Sequence, residues 1–454
     1  PTLRDSLFCL NWPALPGDTF PQAAVSPTWI VVAADPHHLP PGLHQAPIHP
    51  DLNHPDLNDT DLVIWALPIS EESEHDALPR IHTLTQHVLT QLQHWLTRPD
   101  TLHTPLVILT CHAIATSIHD RAPNLAHAAA WALIHTTQNE HPGRINLIDT
   151  DPAADERLLI NVLAALGHTP TEPQLALRHG TAHIPRLTRT TTLTPPPTPT
   201  WDLEGTVLIT GGSGALAGVF AEHLVTKHGI RHLLLVSRRG PDAPGATEFH
   251  QRLTDLGAHV TFTACDTSNP TELATLLQSI PTQHRLIAVI HAAGILADAV
   301  ITELTETQLD TVLAAKADTA WHLHQLTATQ DLAAFVVFSS AAATLGNPGQ
   351  ANYAAANAVL DALAHQRHRQ QLPATSLAWG YWQTPSGMTA HLSQLDQARI
   401  GRASLTPIST EHGLALFDAA LTHQQPALVL APLNLRALDR LGRTNTLPPI
   451  LAAP

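Results

Sequence analysis

A glycine-rich turn, Thr210-Gly-Gly-Ser-Gly-Ala-Leu-Ala-Gly218, joins the apolar run Thr206-Val-Leu-Ile209 to a segment of helical character from Leu216 to His228. Strand, tight turn and helix in immediate succession form the opening unit of a doubly wound parallel sheet. Gly211 and Gly214 permit the turn and let a phosphate approach the backbone, and Ser213 and Leu216 stand beside them in the same loop. The small Ala217 lets the helix pack near the sheet, with N–H groups at the helix start facing an anion. Glycines at this spacing also make ordinary β-to-α turns, so the neighbouring strand ends have to decide.

Those ends point to a dinucleotide. Leu233-Leu-Leu-Val-Ser237 is followed by Arg238-Arg239, where a site for NAD would carry an acidic residue to hold the ribose hydroxyls. Guanidinium groups grip an extra phosphate, so NADPH is the expected cofactor; Arg238, nearer the strand end, is the stronger candidate, and either could be a solvated surface group. Asp266 and Thr267, after the next strand, are placed to border the adenine, with Ser237 at the end of the strand before. Ala292-Ala293-Gly294, after the strand beyond, would let the cofactor lie across the strand ends.

The same alternation runs through the whole chain. Trp29 to Ala33, Leu62 to Trp65, Leu106 to Leu109 and Ile145 to Ile148 read as strands, with helical segments such as Ile81 to Trp95 and Leu125 to Asn139 between them. After the glycine turn, further strands are expected at His232 to Val236, Val260 to Ala264, Leu286 to Ile290, Phe335 to Phe338 and Thr375 to Ala378. The fold class is therefore α/β, with two Rossmann-like subdomains: a truncated structural one first and a catalytic, NADPH-binding one second. The first half has no glycine turn, no Lys and no Tyr, which suits structural support. Boundaries are expected as an initial strand in 1–20, with Leu7 to Trp12 free to pair with a sheet edge elsewhere, and a structural subdomain in 21–190. A Thr/Pro linker in 191–203, a catalytic subdomain in 204–441 and a C-terminal linker in 442–454 follow.

Composition narrows the partners. A length of 454 residues exceeds one compact core, and 44% hydrophobic residues suffice to bury two. Lys plus Arg total 23 against 38 for Asp plus Glu, a formal net charge of −15 that disfavours nucleic acid. The 32 His are scattered without a ligand motif, and Cys9, Cys111 and Cys265 stand far apart, so no metal site is expected and a reduced cytoplasmic setting fits. No apolar run approaches the ~20 residues that cross a membrane. A start at Pro1 without Met suggests a segment of a longer polypeptide.

The reacting groups gather late in the sequence. Phe335-Val-Val-Phe-Ser-Ser340 reads as a buried strand ending in hydroxyls, and Tyr353 begins a helical Ala-rich segment. Tyr353 and Asn357, four apart, share one helical face. Lys316 belongs to a helix introduced by the capping box Thr305-Glu-Thr-Gln308, its apolar neighbours predict partial burial, and an ammonium near the phenol would lower the phenol's pKa. Each residue singly has an ordinary explanation: packing for Tyr353, a strand-end cap for Ser340, a helix-face amide for Asn357, a snorkelling lysine for Lys316. The cofactor loop makes the joint reading the stronger one.

Together these residues resemble the ketoreductase domain of modular type I polyketide synthases, a branch of the short-chain dehydrogenase/reductase family. The resemblance spans nearly the entire chain and puts the family quartet on Lys316, Ser340, Tyr353 and Asn357. In most short-chain dehydrogenases a lysine stands four residues after the tyrosine; here Asn357 does, and Lys316 comes from the earlier helix, as in this branch. The resemblance implies hydride transfer from NADPH to the β-carbonyl of an acyl chain tethered through phosphopantetheine to an acyl carrier protein, with neighbouring synthase domains in the same polypeptide. It also implies that Tyr353 is the proton donor, Ser340 polarises the carbonyl, Lys316 holds the nicotinamide ribose and Asn357 orders a water. B-type members usually carry Leu-Asp-Asp where this chain has Leu296-Ala297-Asp298, and A-type members carry Trp at the position of Leu345, so the resemblance implies a B-type alcohol of D configuration, usually 3R. Trp379 and Met388 fall in segments similar to the family's substrate loop and lid, with the lid continuing through His391 to Arg399. A free-standing reductase of a small ketone and a redox-inactive, epimerising scaffold are the alternatives.

Overall fold

The computed structural model describes residues 2–17, 19–20, 28–53, 60–69, 76–151, 155–166, 172–190, 201–383, 405–444 and 447–452. After β1 (Leu7–Asn11) come β2 (Trp29–Ala33), β3 (Ile48–His49), β4 (Leu62–Ala66), β5 (Leu106–Cys111), β6 (Ile145–Thr150), β7 (Gln174–Arg178) and β8 (Thr181–His183). Strands β2 to β8 form one sheet in the order β3-β2-β4-β5-β6-β7-β8, parallel except for the β7–β8 hairpin. Val31, Val32, Val63, Ile64, Val107 and Ile108 are fully buried, because a parallel sheet is covered on both faces. The covering helices include α1 (Ala77–Thr97), α2 (Leu125–Glu140) and α3 (Glu156–Leu166).

The second sheet begins with β9 (Arg186–Arg189) and continues through β10 (Thr206–Thr210), β11 (His232–Ser237), β12 (His259–Ala264), β13 (Leu286–His291), β14 (Ala334–Ser340), β15 (Thr375–Trp379) and β16 (Ala427–Leu430). Its order is β12-β11-β10-β13-β14-β15-β16-β1-β9. The fold is the expected pair of Rossmann-like α/β units, but the second sheet is larger than the six strands read from the sequence. Strand β16 extends its parallel part, and β1 and β9 close that edge antiparallel, so a strand within 21–190 belongs to the second sheet. Its helices are α4 (Ala215–His228), α5 (Ala246–Asp255), α6 (Pro270–Gln278), α7 (Glu306–Leu313), α8 (Thr319–Thr327), α9 (Ala341–Leu345) and α10 (Ala351–Arg369), followed by Thr410–Ala420 and Leu435–Arg443. The Thr/Pro run 191–200 lies outside the described residues. No described helix is long and apolar enough to cross a membrane.

Helix α2 joins the two units. Every residue from Leu125 to Gln138 is buried, the mark of a helix covered all round. Its alanines lie against α10, where Ala354, Ala355 and Ala356 are equally buried, so small side chains let the helices approach closely. Trp65, Trp95 and Trp131 of the first unit share one apolar cluster with Val312, Trp321 and Leu360 of the second.

Candidate active site

Strands β10 and β13 are neighbours in the sheet although β11 and β12 lie between them in sequence, and where strand order reverses a crevice opens at the strands' carboxyl ends. The glycine turn crosses that crevice. Gly211 has φ +71, and a Cβ on it would lie 2.8 Å from Ala293 Cα, so the turn rests directly on the small residues after β13. Gly214 is the N-cap of α4 with no side chain taking up the helix's first N–H groups, which leaves them for an anion. A cavity of about 400 Å³ adjoins the turn, lined among others by Ser213, Gly214, Gly245, Phe249 and Arg252. Leu216 packs from α4 against the core beneath the sheet. Ser237 Oγ accepts the Gly240 N–H at 3.0 Å, and Arg238 and Arg239 are exposed beside it. Asp266 is occupied by Ser268, whose hydroxyl donates to it at 2.7 Å, while Thr267 is buried with its hydroxyl 3.2 Å from Thr319.

Lys316 sits where the α7–α8 helix widens into a π-helical turn, Ala314–Asp318, a form enriched at functional positions. It is 3% exposed, deeper than the partial burial expected from its neighbours. Its ammonium donates to Phe338 O at 2.8 Å and lies 5.3 Å from the centre of the Tyr353 ring. A Cβ on Gly294 would fall 2.7 Å from Lys316 Cε, so the residues after β13 are held between the glycine turn and the lysine. His291 fixes the lysine's backbone. Its Nε2 contacts Lys316 O at 3.1 Å and its Nδ1 contacts Thr210 Oγ1 at 2.7 Å. The carbonyl can only accept, so Nε2 carries the proton. Burial and the nearby lysine push the imidazole down to about 3, which keeps it neutral.

Tyr353 and Asn357 lie on one face of α10, and Ser340 ends β14 beside them. Burial raises the phenol to about 12, against the lowering by Asn357 and Ser340, and Asp298 adds to the rise. The expected depression of this pKa by Lys316 is therefore corrected. Burial weakens both charges at once: it pushes Lys316 down to about 7, with Asp361 pulling the other way. The phenol is thus fully protonated at neutral pH, the form a proton donor requires. Asn357 Nδ2 donates to Tyr353 O at 2.7 Å, and its Oδ1 is buried without a partner among the described residues. Ser340 Oγ accepts the Ala342 N–H at 3.2 Å, capping α9 and leaving its own proton for another acceptor.

Two loops frame this group. Asp298 is exposed at the tip of one, accepts Gln350 Nε2 at 2.8 Å, and has a pKa raised by surrounding atoms. Leu345 ends α9 in the other, half-buried. Trp379 is not brought to the site: strand alternation turns its indole into a buried ring cluster with Phe220, Phe338 and Trp382. Met388 and the segment His391 to Arg399 lie outside the described residues. His291 and Asp361 did not figure among the expected site residues. Asp361, raised to about 6 by burial, accepts from Ser376 at 2.5 Å and is the carboxylate that favours the Lys316 charge. A helical spacing of four from Asn357 was its only sequence signal. Among the described residues, two groups have three metal-ligating side chains together, Glu204–His232–His284 and His223–His228–Asp418. The first lies at the amino ends of β11 and β13, away from the crevice at their carboxyl ends, with His232 and His284 stacked; the second joins α4 to the helix Thr410–Ala420, His223 and His228 both meeting Asp418 Oδ1 at 2.8 Å.

The family model "KR domain" matches residues 205–384, and "Polyketide synthase extender module SpnB, Rossmann fold domain" matches 10–187. A solved structure described as "A-type Ketoreductases from Modular Polyketide Synthase" superposes with a TM-score of 0.85 at 30% identity, covering 99% of this chain and 98% of that one. The chain belongs to the ketoreductases of modular polyketide synthases. Family membership makes it an NADPH-dependent reductase. A C2-type ketoreductase superposes nearly as well, with a TM-score of 0.83 at 26% identity over 99% of each chain, so the fold is shared by A-type and C2-type ketoreductases. Among curated proteins, Polyketide synthase GfsA of Streptomyces halstedii is 46% identical over 79% of this chain, and Spectinabilin polyketide synthase system protein NorA' of Streptomyces orinoci is 44% identical over 82%. The ketoreductase spans only 5% and 10% of those two relatives.

Proposed function

We propose that this ketoreductase reduces the β-keto group of an acyl chain carried on an acyl carrier protein to a β-hydroxyl, acting beside other synthase domains of one polypeptide. The observation that carries the reading is the convergence of Lys316, Ser340, Tyr353 and Asn357 next to the residues on which the glycine turn rests. The turn fits a dinucleotide, since Gly211 leaves no room for a Cβ and α4 begins with open N–H donors. Gly211, Ser213, Gly214 and Leu216 would hold the pyrophosphate, Ser237, Arg238 and Arg239 the ribose phosphate that marks NADPH, and Asp266 and Thr267 the adenine side. Ala292, Ala293 and Gly294 would floor the site.

NADPH supplies the hydride when bound. Ser340 donates its hydroxyl proton to the carbonyl oxygen and polarises it, and Tyr353 protonates the alkoxide that forms there. Lys316 would hold the nicotinamide ribose, and Asn357 Oδ1, buried without a partner among the described residues, would order the water that returns the proton. Asp298 in the entrance loop, and Leu345 where A-type members carry Trp, support the B-type product of D configuration, usually 3R.

The test is reduction of a carrier-tethered β-ketoacyl thioester with NADPH, the alcohol being resolved by chiral chromatography. Predominantly 3R product is expected, and Tyr353→Phe should lose at least ~10²-fold in turnover while still binding NADPH. A 3S product removes the B-type assignment, and full turnover in the variant removes Tyr353 as donor.

A further inference from the structure

The two loops framing the site are fastened by the structural subdomain. At the C-terminal end of α2, Glu140 spans both: Oε2 accepts the Ile301 N–H at 2.7 Å and Oε1 accepts the Gly349 N–H at 2.8 Å. Asn139 beside it donates to Leu345 O at 2.9 Å and Gly346 O at 3.0 Å. Gly346 has φ +67, and a Cβ there would lie 2.4 Å from Asn139 Nδ2, so the loop is shaped to receive that amide. From α1, Gln93 Nε2 donates to Ile301 O at 2.8 Å and Leu304 O at 2.7 Å, so both backbone polar groups of Ile301 are taken by side chains of the first unit.

The loops are also tied to each other. Ala299 N–H donates to Gly349 O at 2.9 Å and Gln350 donates to Asp298. A carboxylate with one oxygen on each loop thus joins these direct ties in setting their separation, and charge-assisted bonds to backbone N–H groups are among the stronger ones.

We propose that Glu140 is a specificity-determining positioning residue: by fixing the gap between the Asp298 loop and the Leu345 loop, it sets the orientation in which the acyl chain enters and hence the face of the ketone that is reduced. The residue touches neither cofactor nor reacting atoms. The site for the tethered acyl chain is thus completed by the subdomain that carries no reacting group. This inference rests on the ketoreductase reading given above for the substrate.

Glu140→Ala and Glu140→Gln in the full chain test it, with the wild type alongside. For Glu140→Ala the ratio of 3R to 3S alcohol should fall about tenfold and KM should rise, with kcat moving less, because discrimination between two orientations is a difference of binding energies. Glu140→Gln keeps one acceptor oxygen and should fall between the two. Hydrogen exchange of peptides covering Ile301 and Gly349 should speed up in Glu140→Ala, a readout that needs no turnover. An inert wild type would count against the substrate reading, while accelerated exchange would still support the clamp. An unchanged product ratio and KM in a folded Glu140→Ala protein overturns the proposal, as does a loss of kcat that merely tracks a fall in Tm. Should Glu140→Ala not fold, Glu140→Gln and Asn139→Ala decide by the same ratio.

Discussion

At the scale of single residues, the site works by setting burial against charge. Lys316 is buried deeply enough that its ammonium is held at about 7, and Asp361 is the group that keeps it from falling further. Removing that carboxylate removes a charge that favours the protonated lysine, so Asp361→Asn should lower the Lys316 pKa. If the charged lysine is the working form, the alkaline limb of the kcat–pH profile should move to lower pH in this variant, with the acidic limb in place. Coincident profiles for variant and wild type would show that Asp361 does not act through Lys316. The phenol of Tyr353 moves the other way, since burial raises it to about 12 and keeps its proton on at neutral pH.

At the scale of elements, the π turn carrying Lys316 is braced from outside its own subdomain. His82 on α1 reaches Asp310 Oδ1 at 2.7 Å, before the turn, and Asp318 Oδ1 at 3.1 Å, at its last residue. Burial alone would lower the imidazole, but the bonds to Asp318 and Asp310 outweigh it and raise the pKa to about 9. A histidine raised in the folded state contributes stability that is complete below about 6.5 and is lost as pH rises through 9. Thermal melts from pH 6 to 10 should therefore show a fall in Tm that is smaller in His82→Gln; parallel curves would rule out the brace. The parallel strands were legible because burial on both faces writes them as unbroken apolar runs, as in Leu106-Val-Ile-Leu109. Strand β9, Arg-Leu-Thr-Arg at a sheet edge, has no such run, and β16 is only four residues long. Tyr353 and Asn357 were legible through their helical spacing, whereas Glu140 and His82 were not, since their partners lie 161 and 228 positions away.

At the scale of the whole molecule, neither subdomain closes its own surface. Trp131 on α2 and Leu360 on α10 belong to one apolar cluster, and the second sheet takes its last two strands from upstream of residue 190. A polypeptide of residues 201–454 alone should therefore expose the α10 face and the open edge of β16, and should be recovered aggregated or without NADPH turnover. A soluble, active fragment would show the first half to be dispensable. The pairing of Leu7 with Leu430 has a further consequence during synthesis. The strand carrying Leu7 leaves the ribosome long before its partner exists, so it waits with a bare hydrogen-bonding flank while nearly the entire domain is translated. Closure of the sheet is then a late event, and nascent chains halted before Ala427 should stay open to proteolysis near Leu7 even after the glycine-rich nucleotide fold around β10 has formed.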